Sequence, residues 1–299
     1  MKYSLNYFLL GLFLMGLCGT SCAFQSTDLT PEFSFTEGIE GPAVDRSGML
    51  FAVNFKEQGT IGRVNEKGEA EVYFHLPEGS IGNGIRFDKE QHMYIADYAG
   101  HKVYRVKSGS RTPEVWVDGP EMNQPNDLAI SDAGIIYLSD PNWEKNSGNL
   151  WMVPAAGKLV LLETGMGTTN GIEVSPEGKF LYVNESVQRK VWKYNILPDG
   201  TVSDKRLLIQ FEDFGLDGMR CDEKGNLLIT RYGKGTVVMV SREGKLLKEI
   251  KLKGKNPSNL AFGGKDGKTV YVTMADRGCV EVIRLPYKGN YYSKIHKDD

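Results

Sequence analysis

The strongest constraint on this chain is a pattern that returns six times. A polar residue is followed by a small or apolar step, then an acidic or glycine-containing turn, then an alternating apolar strand. The copies start at Glu40 (EGPAVDRSGMLFAV), Asn83 (NGIRFDKEQHMYIAD), Asn126 (NDLAISDAGIIYLSD), Asn170 (NGIEVSPEGKFLYVN), Asp217 (DGMRCDEKGNLLIT) and Ser258 (SNLAFGGKDGKTVYVT). Their starts lie about 41 to 47 residues apart, room for four short strands and their turns, which is the period of a β-propeller blade. Each copy carries strand-like alternation, as in Met93-Tyr94-Ile95-Ala96 and Leu181-Tyr182-Val183-Asn184. Asp45-Arg46-Ser47-Gly48, Pro176-Glu177-Gly178 and Glu223-Lys224-Gly225 supply turn residues between the first two strands. Glycine, at 35 of 299 residues, exceeds the ~7% typical of proteins, while the 12 prolines are ordinary. The excess therefore reads as tight turns in a folded chain.

These repeats predict an all-β protein, a six-bladed β-propeller with four-stranded antiparallel blades spanning residues 37–288. An immunoglobulin-like pair of sandwiches would leave the repeat unexplained. Residues 24–36 form an N-terminal segment in which Phe33-Ser34-Phe35 is expected to complete the last blade and close the ring. Residues 289–299 are a C-terminal tail. No long amphipathic helix is expected outside the leader.

Residues 1–23 read as an export signal. Lys2 precedes the apolar run Phe8 to Leu17, which is too short for the ~20 residues that span a bilayer. Ser21-Cys22-Ala23 offers small residues for an ordinary signal peptidase. Gly19-Thr20-Ser21-Cys22 reads instead as a lipobox, with Cys22 taking a lipid anchor. The expected location is periplasmic, cell-envelope or secreted. With 36 basic and 38 acidic side chains, the charge of -2 speaks against a nucleic-acid partner and a polybasic membrane surface. Oligomeric state is not legible. Beyond the leader only Cys221 and Cys279 remain; they can pair in an oxidising compartment or serve as small core residues.

In a propeller the first strand of each blade lines the central channel, so equivalent repeat positions form a ring. Here that ring is Glu40, Asn83, Asn126, Asn170, Asp217 and Ser258. Capping of strand ends would suit any one of them, but gives no reason to combine carboxylates and amides at one level. Oxygen-rich ligands suit a hard divalent cation, Ca²⁺ or Mg²⁺, and allow Mn²⁺. Two carboxylates would balance its charge and leave coordination sites for water or substrate. Paired-histidine and serine-nucleophile chemistries find little support. His75, His92 and His101 fall at blade edges or turns, His296 lies in the tail, and no GxSxG elbow occurs.

With these motifs in order at blade spacing, the chain resembles the senescence marker protein/gluconolactonase/luciferin-regenerating-enzyme family of six-bladed propeller hydrolases. The match runs from about Glu37 to Arg284 through EGP at Glu40, PND at Asn126, NGIEVSPEGKFLYV at Asn170, LDGMRCDEKGNL at Asp217 and NLAFGGKDGKTVYVT at Asn259. The resemblance implies one divalent cation, usually Ca²⁺ or Zn²⁺, held by Glu40, Asn170 and Asp217. Asn126 is a fourth ligand in some branches and a substrate contact in others. Asn83 and Ser258 would then line the pocket. It also implies hydrolysis of a small lactone, with Asp217 as general base or nucleophile; some relatives cleave phosphorus esters instead. Gln124 stands where sugar-lactone-specific members carry Arg. Glu144, in the segment Asp140 to Gly148, would either reach over the channel mouth or be a solvated loop charge. A non-catalytic propeller that binds a peptide or carbohydrate and keeps a structural ion is the rival reading.

Overall fold

The computed structural model describes residues 26–155 and 157–296. The leader and the Cys22 anchor lie outside the described residues. Six four-stranded sheets follow one another around an axis, each antiparallel and, in blades I to V, ordered by sequence. Their inner strands are Phe35–Val44, Gly82–Phe87, Leu128–Ile130, Thr169–Val174, Met219–Cys221 and Pro257–Gly263. The only described helix is short, Asn290–Ile295, and no described helix is long and apolar enough to cross a membrane.

The repeat is needed because the molecule has no single central core. Six apolar clusters each lie between two successive blades, including one between the last blade and the first. Second strands serve two clusters at once. Met93 and Ile95 pack toward blade I, whereas Tyr94 and Ala96 pack toward blade III. Leu181 and Val183 face blade III while Tyr182 faces blade V. Side-chain alternation thus sends successive residues into different cores, and these strands are apolar on both faces. Trp116, Trp151 and Trp192 pack in such clusters, and Trp143 is exposed. Cys221 and Cys279 are buried free thiols in separate clusters.

Ring closure differs from expectation in its residues. The fourth strand of blade VI is Thr27–Asp28, paired with Val282 and Glu281. Phe33 has a left-handed φ of 59° and is 78% exposed, while Phe35 opens the inner strand of blade I. Charge holds the closing strand. Asp28 meets Arg277 at 2.7 Å and Lys253 at 2.8 Å, and these cations hold its carboxyl down at about 2. In blade III the outer strand is Val160–Met166, and it follows a turn in which Gly157 N–H donates to Pro154 O at 2.8 Å.

Candidate functional site

Every inner strand enters the channel at its ring residue, and in four of the six copies the next residue is glycine. That glycine is a packing requirement. A Cβ on Gly171 would lie 2.4 Å from the Asp217 carbonyl oxygen, and one on Gly41 would lie 2.0 Å from that of Asn83. Neighbouring strands touch through backbone here, as where Gly84 N–H donates to Asn126 O at 2.8 Å and Gly218 N–H to Ser258 O at 2.8 Å. Gly171→Ala is therefore expected to destabilise the protein by roughly 1–3 kcal/mol, readable as a lowered urea midpoint.

Glu40, Asn170 and Asp217 come together at this mouth of the channel, and Asn126 holds the equivalent repeat position in blade III. Glu40 is buried, and its Oε2 accepts from Gly41 N–H at 2.6 Å and Asn259 Nδ2 at 2.9 Å. Asp217 is only partly buried; its carboxyl takes a hydrogen bond from the Asn170 side chain and shares another with Glu40. Burial, reinforced by the Asp127 charge, pushes Glu40 up to about 7. Asp217 rises well above the ordinary carboxylate range through burial and the adjacent Glu40 charge. The amide oxygens of Asn126 and Asn170 are buried and accept no hydrogen bond. Such atoms ordinarily find partners.

Two unsatisfied amide oxygens beside two mutually repelling acids form a donor set for a hard cation, and the four residues fit one. Among the described residues no group of three or more His, Cys, Asp or Glu side chains clusters for a metal. A cation here would depend on the carboxamides as much as on the acids.

The other ring positions do different work. Asn83 Nδ2 donates to Asn126 O at 3.0 Å, fixing the neighbouring strand. Ser258 turns away from the channel: its hydroxyl donates to Ile39 O at 2.7 Å and pairs with Thr273 Oγ1 at 2.8 Å. Asn259 takes the role expected of Ser258, bridging Glu40 and, at 3.4 Å, Asp127. Gln124 is half-buried in the loop before Asn126, with its backbone N–H held by Asp140 at 2.7 Å. Residues 140–148 form a paired hairpin, and Glu144 lies on its exposed turn. The solvated-charge alternative describes Glu144 better than a reach across the mouth.

Several residues escaped the sequence reading. Asn184 Nδ2 holds the Asp217 carbonyl at 2.5 Å. Tyr232 is exposed, and its phenol is pushed up by partial burial and by the nearby Asp217 charge. Asp127 lies one level deeper, fully buried, against Arg86 and Arg220 at 3.0 and 3.3 Å. Asn259 and Asp127 did carry a signal, since they stand where the other four copies have glycine.

Fold and ring together define a six-bladed propeller with a ring of oxygen-bearing side chains in its channel. A family model described as SMP-30/Gluconolactonase/LRE-like region matches residues 39–276, and the chain belongs to that family. It is 29% identical over 229 residues to a gluconolactonase of Zymomonas mobilis, an alignment covering 67% of this chain and 64% of that protein. It is 25% identical over 275 residues to the diisopropyl-fluorophosphatase of Loligo vulgaris, covering 81% and 87%. Among solved structures, the calcium-binding protein regucalcin of Agrobacterium tumefaciens superposes with a TM-score of 0.78 at 19% identity, covering 89% of this chain and 96% of that one. The last likeness concerns the fold alone.

Proposed function

We propose that this protein is a metal-dependent hydrolase of small cyclic esters, a lactonase acting at the channel mouth. The observation that carries the reading is the pair of unpartnered amide oxygens, Asn126 and Asn170, beside the raised acids Glu40 and Asp217. Those four residues would hold one divalent cation, with Ca²⁺ favoured over Zn²⁺, Mg²⁺ and Mn²⁺ by all-oxygen ligation. When bound, such an ion offsets the two carboxylate charges and polarises the ester carbonyl.

The two acids then divide the work. Glu40 is fixed by Gly41 and Asn259, which suits a ligand. Asp217 is more open to the channel, and its carboxyl can take the proton of an attacking water or itself attack the carbonyl. Asn170, donating to Asp217, orients that carboxyl. Asn83 and Asn184 hold the backbones of Asn126 and Asp217, so the donor set is preorganised.

Similarity to the gluconolactonase supports a lactone as substrate class, and similarity to the fluorophosphatase makes phosphorus esters the second class to examine. The test is proton release from aliphatic and sugar lactones, on protein stripped by chelator and resupplied with each cation in turn. Turnover restored by one cation is the expected result. Folded, ion-loaded protein that turns over neither lactones nor phosphorus esters would overturn the reading in favour of a binding propeller.

A further inference from the structure

Toward the other end of the channel the inner strands and their turns enclose a cavity of about 380 Å³, within the ~300–1,000 Å³ usual for small-ligand sites. Its lining begins two to three residues beyond the ring positions. Asp127 and Asn259 therefore lie between this chamber and the acid–amide ring.

The chamber's inner wall is charged. Arg86 and Arg220, at the same repeat position in blades II and V, both bond the single buried carboxylate of Asp127, at 3.0 and 3.3 Å. Two guanidinium groups thus share one fully buried carboxylate. Glu173, the equivalent residue of blade IV, lies 3.9 Å from Arg86. Among the described residues the Glu173 carboxyl accepts no hydrogen bond, and burial pushes it above its ordinary range. The side walls are apolar, with Ile130 and Phe262 among them.

The C-terminal helix Asn290–Ile295 lies across the outer end. Gln91 donates to Tyr291 Oη at 2.8 Å, Tyr291 donates to Asp88 O at 3.2 Å, and Lys294 pairs with Asp132 at 2.6 Å. The helix thereby turns an open channel end into a chamber.

We propose that this chamber binds a small hydroxycarboxylic acid with an aliphatic body. The ligand carboxylate meets the guanidinium groups of Arg86 and Arg220, its hydroxyl donates to Glu173, and its methylenes lie against Ile130 and Phe262. Five N–H donors on each guanidinium exceed what the Asp127 carboxylate can accept, which leaves donors for a ligand carboxylate. An apolar acid without the hydroxyl would leave the Glu173 acceptor unmatched and should bind more weakly. The assignment rests on the chamber's own chemistry and needs no activity at the ring.

The test is calorimetric titration of the full, calcium-loaded chain with ω-hydroxyhexanoate and, in parallel, hexanoate. One site is expected, with the hydroxy acid binding about tenfold or more tightly than hexanoate. Asp217→Asn should leave that binding in place, and Ile130→Trp, which fills the chamber from its wall, should abolish it. Glu173→Leu, a smaller disturbance, should erase the preference for the hydroxyl, so the proposal stays testable if the tryptophan variant does not fold. Absence of binding at millimolar ligand would overturn it. So would binding that survives Ile130→Trp in folded protein but is lost in Asp217→Asn, which would place the ligand at the ring. Because these titrations read binding alone, they can succeed where the lactone assay fails, and the reverse.

Discussion

Asp217→Asn is expected to lower kcat for lactone hydrolysis by about 10³-fold while the protein stays folded, since a lost general acid–base alone removes ~10²–10⁴. The substitution keeps shape and removes charge. Asn184 still holds the backbone carbonyl of residue 217, and that contact does not involve the altered side chain. Glu40 also loses the neighbour whose proton and charge it shares, so chelator-treated protein should be as stable as the parent or more so. Steady-state kinetics with chemical denaturation on the same preparations separates the readings. A catalytic acid predicts collapse of kcat with a urea midpoint, in chelator-treated protein, no lower than the parent's. A purely structural ion predicts a fall in midpoint as the main effect, with no turnover to lose.

The blades were legible because each second strand must feed two interblade cores, and that demand writes the same apolar run six times. Ring positions followed from the register of those runs, and Glu40, Asn170 and Asp217 are in contact at that level. Counting along the repeat failed at blade VI. Ser258 aligns with the ring, yet its hydroxyl is held by Ile39 and Thr273, and the longer Asn259 reaches Glu40 instead. Periodicity also misplaced the closing strand. Thr27–Asp28 sits on an outer edge and is held by ladder bonds and ion pairs, so it needs no apolar pattern, while the aromatic Phe33–Phe35 stretch imitates one. Nothing local in the sequence marks the far chamber. It forms when Tyr291 and Lys294 meet Gln91 and Asp132 across more than 160 residues.

The largest expected effect on stability is a dependence on cation that grows with pH. In metal-free protein the Glu40 carboxyl is raised from 4.5 to about 7 and Asp217 is raised as well, so the native state holds protons that the unfolded chain has released. Where the native state binds more protons, unfolding free energy falls as pH rises. The stabilisation is therefore fully present below about pH 4 and is lost on rising through neutrality. For Glu40 alone the loss is on the order of 3 kcal/mol, or roughly 6–12 °C in Tm for a domain of this size. A divalent cation on Glu40, Asn126, Asn170 and Asp217 reverses the sign, because it binds the ionised acids and supplies the charge whose lack raised them. The gap in Tm between calcium-loaded and chelator-treated protein should then be small at pH 5 and widest near pH 8. Thermal melts across that range with and without chelator provide the measurement, and Asp217→Asn should flatten the chelator curve by removing one acid of the pair. Parallel curves at every pH would mean that any bound cation sits away from Glu40 and Asp217, and would remove the ring as its site.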